Sequence, residues 1–224
     1  MAKKTPAKTE STGSRKRVFI VEDHPFFREG LVAMLKREPD LEVCGQAGDA
    51  ESALQALAAA KPDILLVDIS LPGRSGLDLI KDVRQQNEKV KILVVSMHDE
   101  ALYADRVLRA GGNGYIMKDE DPDELAQAIR DVLRGHIYVS EAVMGKKQGV
   151  SRAKTRPLDA LTDAELEVLE WLGRGKEQAA IAKHLGMTVR ALEDVSLAMR
   201  SKLGLKTPSD LLRYAVCWVE TGRS

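Results

Sequence analysis

Apolar and polar positions divide this chain into two unlike halves. In the first, short runs rich in Val, Ile and Leu alternate with longer stretches of helical periodicity. The runs predict strands at about Val18–Glu22, Leu41–Ala47, Ile64–Asp68, Lys91–Ser96 and Gly114–Lys118. Near-continuous apolar runs of this length fit strands buried on both faces of a parallel sheet. The stretches between them predict helices at about Phe26–Arg37, Ala50–Ala60, Gly76–Gln86, Glu100–Ala110 and Pro122–Arg134. Leu31, Met34 and Leu35 form an apolar face on the first, and Leu125, Ala128, Ile129, Val132 and Leu133 on the fifth. Five strand–helix units predict an α/β fold, a five-stranded parallel doubly wound sheet with right-handed crossovers.

The second half carries helical periodicity only. Thr162 and Glu165 form a capping-box pattern ahead of Leu166, Val168, Leu169 and Leu172. Gly175 and Gly186 end the first two helices. A longer helix is predicted over Val189–Leu203 with Thr188 as its cap, and a fourth over Ser209–Val219. The short helix, Gly186 and the long helix make a helix-turn-helix over about 178–197 in a small all-α, four-helix domain. The expected organisation is a disordered basic tail at 1–16, an α/β domain at 17–137, a basic linker at 138–157 and a helical domain at 158–224.

Charge sharpens this division. The formal net charge is zero. Yet residues 1–17 carry +5, residues 18–144 carry −9, residues 145–157 carry +5 and residues 158–224 carry −1. An acidic first domain suits a cation, and basic segments suit a polyanion, although solvated tails have the same composition. No apolar run approaches the ~20 residues that span a bilayer, and the polar N-terminus lacks a signal-peptide core. Cys44 and Cys217 match no metal spacing and are expected to be reduced, buried thiols. A cytoplasmic protein is expected.

The candidate chemistry sits at the strand ends. Glu22 and Asp23 close RVFIVED, Asp68 closes DILLVD and Lys118 closes NGYIMK. A doubly wound sheet binds ligands at the carboxyl ends of its strands, so the fold should gather these groups. Glu22, Asp23 and Asp68 repel one another unless a hard cation such as Mg²⁺ sits among them. A carboxylate can accept a phosphoryl group as an acyl phosphate. Lys118 offers that group a point charge, and Ser96 offers it a hydroxyl. Each residue alone has an ordinary explanation as a turn former or a solvated charge. His24 is expected to order its loop, and His98, His136 and His184 to be surface or core histidines.

The segments VEDHPFFREGL, DISLPGRSGLDLI, VVSMHDE and AGGNGYIMKD resemble the receiver domain of two-component response regulators of the NarL/FixJ class. The helical half resembles the LuxR-type helix-turn-helix domain of the same class, through Leu161-Thr162, Glu165, Val168-Leu169, Gly175, Ile181-Ala182, Leu185-Gly186 and Lys202-Leu203-Gly204. The resemblance implies that Asp68 takes phosphate from a sensor histidine kinase. It implies Mg²⁺ ligation by Asp23, Asp68 and the Ser70 backbone carbonyl, with Glu22 completing the acidic pair. Lys118 becomes the phosphate partner, and Ser96 with Tyr115 the switch pair, Tyr115 turning inward on phosphorylation. The implied protein is a dimerising transcription regulator, not an enzyme beyond its own phosphorylation and slow dephosphorylation.

The helical half departs from its class where DNA contacts belong. Glu193 and Asp194 stand where the pattern has a Lys and a variable residue, Val195 replaces its His, and Leu197 a polar or basic position. A carboxylate near the phosphate backbone repels it, though it can accept a hydrogen bond from cytosine. Thr188, Arg190, Arg200, Lys202 and Lys206 remain as candidate contacts. The alternative is a phosphorylation-gated protein-interaction module. A freestanding hydrolase is a weaker reading, because no phosphate-cradling P-loop is present. Trp218 and the apolar positions of the last helix fit either a core or a dimer interface.

Overall fold

The computed structural model describes residues 14–86, 89–140, 143 and 157–221. The basic tail at 1–13 and the linker residues 144–156 lie outside the described residues. In the first half, β1 (Lys16–Val21), β2 (Leu41–Ala47), β3 (Ile64–Val67), β4 (Lys91–Ser96) and β5 (Gly114–Met117) alternate with α1 (Pro25–Leu35), α2 (Ala50–Ala60), α3 (Gly76–Gln86), α4 (Glu100–Ala110) and α5 (Pro122–Leu133). All neighbouring strands pair in parallel, in the order β2-β1-β3-β4-β5. β1 starts two residues earlier than the periodicity implies, because Lys16 N–H donates to the Asp40 carbonyl at 2.8 Å and Lys16 pairs with Leu41.

Alternation along the strands splits the core. Val18, Ile20, Leu66 and Leu93 point to one face, where α1 and α5 cover them with Leu31, Leu35, Leu125 and Ile129. Phe19, Leu65, Val67 and Val94 point to the other, where α2, α3 and α4 supply Ala53, Ile80 and Val107. Fully burying each of these larger side chains contributes about 1.5–3 kcal/mol.

The second half begins with a 3₁₀ turn at Pro157–Ala160, followed by α6 (Asp163–Gly173), α7 (Gln178–His184), α8 (Val189–Leu203) and α9 (Pro208–Thr221). The capping box is formed: Thr162 Oγ1 accepts from Glu165 N–H, and Glu165 accepts from Thr162 N–H. Leu211, Ala215 and Trp218 on α9 are buried, so Trp218 belongs to the core, while Leu212 and Val219 are exposed. Cys44 is half-buried as part of β2, but Cys217 is exposed, contrary to the expectation of two buried thiols. It falls on the outward face of α9, between the inward Ala215 and Trp218. No described helix is long and apolar enough to cross a membrane.

The two halves pack together. The apolar cluster on the α2–α3–α4 face of the sheet continues into Leu158, Leu161, Leu166 and Leu169 of the helical half. Arg106 on α4 donates to Asp163 at 2.8 Å and to the Leu158 and Leu161 carbonyls. Lys81 on α3 reaches the same carboxylate at 3.2 Å.

Candidate phosphoacceptor site

β1, β3 and β5 deliver their C-terminal residues to one end of the sheet. Lys118 Nζ lies 2.7 Å from Glu22 Oε2 and 2.8 Å from Asp68 Oδ2. All three side chains are nearly buried. The Phe27 ring sits under the ammonium, 4.7 Å away at its centroid. Burial and the Asp68 charge raise the Glu22 pKa, against the pull of Lys118. Burial works against the Lys118 charge, but Asp68 and Glu22 outweigh it and its pKa is raised.

Asp68 Oδ2 is engaged by Lys118, while Asp68 Oδ1 is buried with no hydrogen-bond partner. Asp23 Oδ1 is likewise unpartnered; His24 Nδ1 approaches it to 2.9 Å without hydrogen-bond geometry. Ligand atoms of Glu22, Asp23, His24 and Asp68 all lie within 4.8 Å of one another. One ammonium beside three carboxylates leaves a charge deficit, and two orphaned carboxylate oxygens are the donors a hard cation takes. The His24 backbone N–H donates to Glu22 Oε1 at 3.0 Å.

The loop after Asp68 is held by a close approach. A Cβ on Gly76 would lie 2.0 Å from the Asp68 carbonyl oxygen, so no other residue fits there without displacing the backbone. Gly76 N–H donates to the Ile69 carbonyl at 2.7 Å. Ser70, at the start of this loop, is half-buried.

Ser96 is fully buried at the end of β4. Tyr115 is buried too, and its hydroxyl donates to the His98 carbonyl at 2.7 Å. The ring lies inside in this structure. The space between β4 and β5 holds it because the His98 carbonyl offers a buried acceptor.

Sequence reasoning missed His98. Its ring is not an isolated core imidazole: Nε2 lies 2.6 Å from Ser70 Oγ, and Nδ1 meets Glu170 Oε2 of α6. One signal was present. Ser70 and His98 each follow a strand-end site residue by two positions, which places both on the rim of one pocket. Glu167 and His184 were missed as well. His184 is half-buried against Trp171, with its Nε2 3.9 Å from the buried Glu167 Oε1.

The helical half therefore covers the pocket. Gly73 N–H, in the loop after Asp68, donates to the His184 carbonyl at 2.9 Å. Gly186, at φ +64°, packs so that a Cβ would stand 3.2 Å from Gly73 Cα. Asp68 is 4% exposed. The candidate DNA face points elsewhere: Thr188, Arg190, Glu193, Asp194 and Leu197 are exposed. Thr188 Oγ1 caps α8 by accepting from Ala191 N–H. Two of the candidate cations serve the domain itself, Lys202 through Glu165 at 2.6 Å and Arg200 through the Lys206 carbonyl at 3.0 Å. Lys206 itself is exposed.

Residues 18–130 match the response regulator receiver domain family. The chain is also 34% identical over 210 residues to the oxygen regulatory protein NreC of Staphylococcus aureus, across 89% of this chain and 96% of that protein. The chain belongs to the two-component response regulators. A LuxR-family response regulator from Aurantimonas sp. SI85-9A1 shares 33% identity, with a TM-score of 0.57 over 60% of this chain and 99% of that one. RcsB of Salmonella enterica serovar Typhimurium, solved on promoter rprA with a phosphomimetic, is 24% identical with a TM-score of 0.65 over 91% of this chain and 99% of that one. That likeness extends the shared fold through the helical half. The protein is thus a response regulator of the NarL/LuxR kind, an architecture consistent with transcription regulation.

Proposed function

We propose that Asp68 is the phosphoacceptor. Its carboxylate attacks the phosphorus of a sensor kinase's phosphohistidine. A P–O bond forms, the P–N bond breaks, and the leaving imidazole takes up a proton. The observation that carries this reading is the division of labour at Asp68: Lys118 holds Oδ2 at 2.8 Å while Oδ1 is buried and unpartnered. Lys118 is placed to balance the new phosphoryl charge, and the Ser96 hydroxyl to hydrogen-bond it.

Asp23, Asp68 and the Ser70 carbonyl are the proposed ligands of a Mg²⁺ ion, with Glu22 beside them. The orphaned oxygens of Asp23 and Asp68 fit such an ion. When bound, it neutralises charge on the transferred oxygens.

The output we propose is DNA binding by the helical half, and RcsB with its promoter is the precedent for this fold. Glu193 and Asp194 lie exposed on α8, so recognition there relies on base contacts more than on phosphate neutralisation. The docked helical half shields Asp68 and leaves α8 outward. Docking therefore controls access to the phosphoacceptor, and charge added at Asp68 disfavours a lid that brings Glu167 and Glu170 close.

The test is phosphorylation of the full chain by a small-molecule phosphodonor, read by intact mass. The chain is expected to gain one phosphoryl group, and Asp68→Asn none. A gel shift with the phosphorylated protein at low salt then tests the DNA reading; failure to bind any duplex would sink it.

A further inference from the structure

Helix α8 has two unlike faces. Leu192 and Met199 are buried and Val195 and Ser196 half-buried, at the i, i+3, i+4, i+7 spacing of a core face. The opposite face carries Val189, Arg190, Glu193, Asp194 and Leu197, all exposed. Leu197 is 56% exposed, the most of any large apolar side chain among the described residues of the helical half. Glu193 and Asp194 make no hydrogen bond or ion pair among the described residues. Asp163, Glu165, Glu170 and Asp210 of the same half each hold a cation of the chain. The two α8 carboxylates are thus kept free, next to an apolar side chain left in water.

An ionised carboxylate only accepts hydrogen bonds, and removing it from water costs free energy unless a donor takes the water's place. The phosphate backbone offers it repulsion alone. The base edges of the major groove differ. Guanine shows two acceptors, thymine an acceptor and a methyl, adenine an acceptor beside its amino group, and cytosine an amino group alone. Only cytosine gives a carboxylate a donor with no acceptor on the same base. An exposed leucine finds its match in the thymine methyl. Glu193 and Leu197 are one turn apart, about 6 Å along the axis, close to two base steps of about 3.4 Å. The lysine of the class pattern suits the acceptors of guanine, so this chain presents the opposite polarity at that position. Arg190, on the same face and also unbonded among the described residues, supplies a cation for phosphate.

We propose that Glu193 and Asp194 are specificity-determining residues that accept from cytosine N4 amino groups in the major groove, with Leu197 against a neighbouring thymine methyl. This rests on the reading of the helical half as a DNA-binding domain. The preferred site carries cytosine and thymine within about two base steps of each other beneath α8. Guanine is rejected there, because its acceptors would face carboxylates.

The test uses the full chain, phosphorylated by a small-molecule phosphodonor. Duplexes are selected from a randomised pool at low salt, and the selected duplex is titrated by fluorescence anisotropy. Cytosine is expected at the contacted positions, and exchanging that C·G pair for G·C is expected to weaken binding about tenfold. Glutamine keeps the shape of glutamate but pairs with adenine N6 and N7. Glu193→Gln is therefore expected to select adenine where the wild type selects cytosine, and Asp194→Asn to act alike. Such a change of base is not produced by a structural role. Deoxyuridine in place of thymine removes one methyl and is expected to weaken binding about fourfold, while Leu197→Ala should bind both duplexes alike. Circular dichroism checks that each variant is folded. Guanine or no preference at these positions, or an unchanged selected sequence in both carboxamide variants, overturns the assignment and leaves DNA binding standing. If the wild type retains no duplex at all, the DNA reading falls with it, and α8 is left as a face for a protein partner.

Discussion

His98 and Glu170 meet across the boundary between the two halves, His98 Nδ1 against Glu170 Oε2. The other ring nitrogen of His98 lies 2.6 Å from Ser70 Oγ, and its carbonyl accepts from Tyr115. Tyr115, the loop after Asp68 and the helical half thus meet at one residue. Glu170→Ala leaves the buried His98 imidazole without its acceptor, a loss of about 1–3 kcal/mol, while the exposed Arg174 turns to water. The expected outcome is a looser chain before phosphorylation, measured as a larger radius of gyration by small-angle scattering and faster phosphorylation of Asp68. An unchanged radius would mean that the apolar interface alone holds the halves together.

Lys118 bears on stability as well as chemistry. Its side chain is 7% exposed and is the ammonium shared by Glu22 and Asp68. Lys118→Ala strands two buried carboxylates, which is expected to lower unfolding free energy by about 3–5 kcal/mol in chelator. Added Mg²⁺ should recover part of the loss, since a ligand of the native state stabilises it. Urea melts with and without the ion measure both effects.

Asp163 makes the interface sensitive to acid. Burial opposes its charge, but Arg106 and Lys81 outweigh burial and its pKa is lowered. A carboxyl depressed in the folded state adds stability above its unfolded pKa of about 3.9, and that stability is lost as pH falls through the folded value. Wild-type protein should therefore loosen at its interface in that acid window, while Asp163→Asn should be looser at neutral pH and flatter across the same range. Fluorescence transfer between dyes on the two halves reads the difference.

Glu193 governs how DNA affinity responds to salt. It is exposed on α8 where the class pattern carries a lysine. Glu193→Lys is expected to tighten nonspecific duplex binding and to steepen the plot of log affinity against log salt by roughly one unit. Anisotropy titrations at several salt concentrations measure the slope. A variant with unchanged affinity and slope would place α8 away from the phosphate backbone.

The strand ends were legible because their information is local. An apolar run followed by an acid or a lysine identifies a buried strand and its exit, and parallel pairing brings all such exits to one edge. Glu22, Asp23, Asp68, Ser96 and Lys118 could be named on that basis, and α8 could be bounded by Thr188 and Gly204. The interface was not legible. Glu167 and Glu170 flank Val168 and Leu169 on α6 and look like ordinary helix-surface acids, while His98 stands 72 positions from Glu170.

What the sequence by itself determined is the alternation that builds the sheet and the chemistry deposited at its carboxyl edge, since periodicity and strand exits depend only on near neighbours. Only the tertiary structure decided that the helical half lies over that edge, burying Glu167 and Glu170 and turning α8 outward. Which polar surface meets another is set by the shape and charge of two separately folded faces, and no spacing along one chain encodes that encounter.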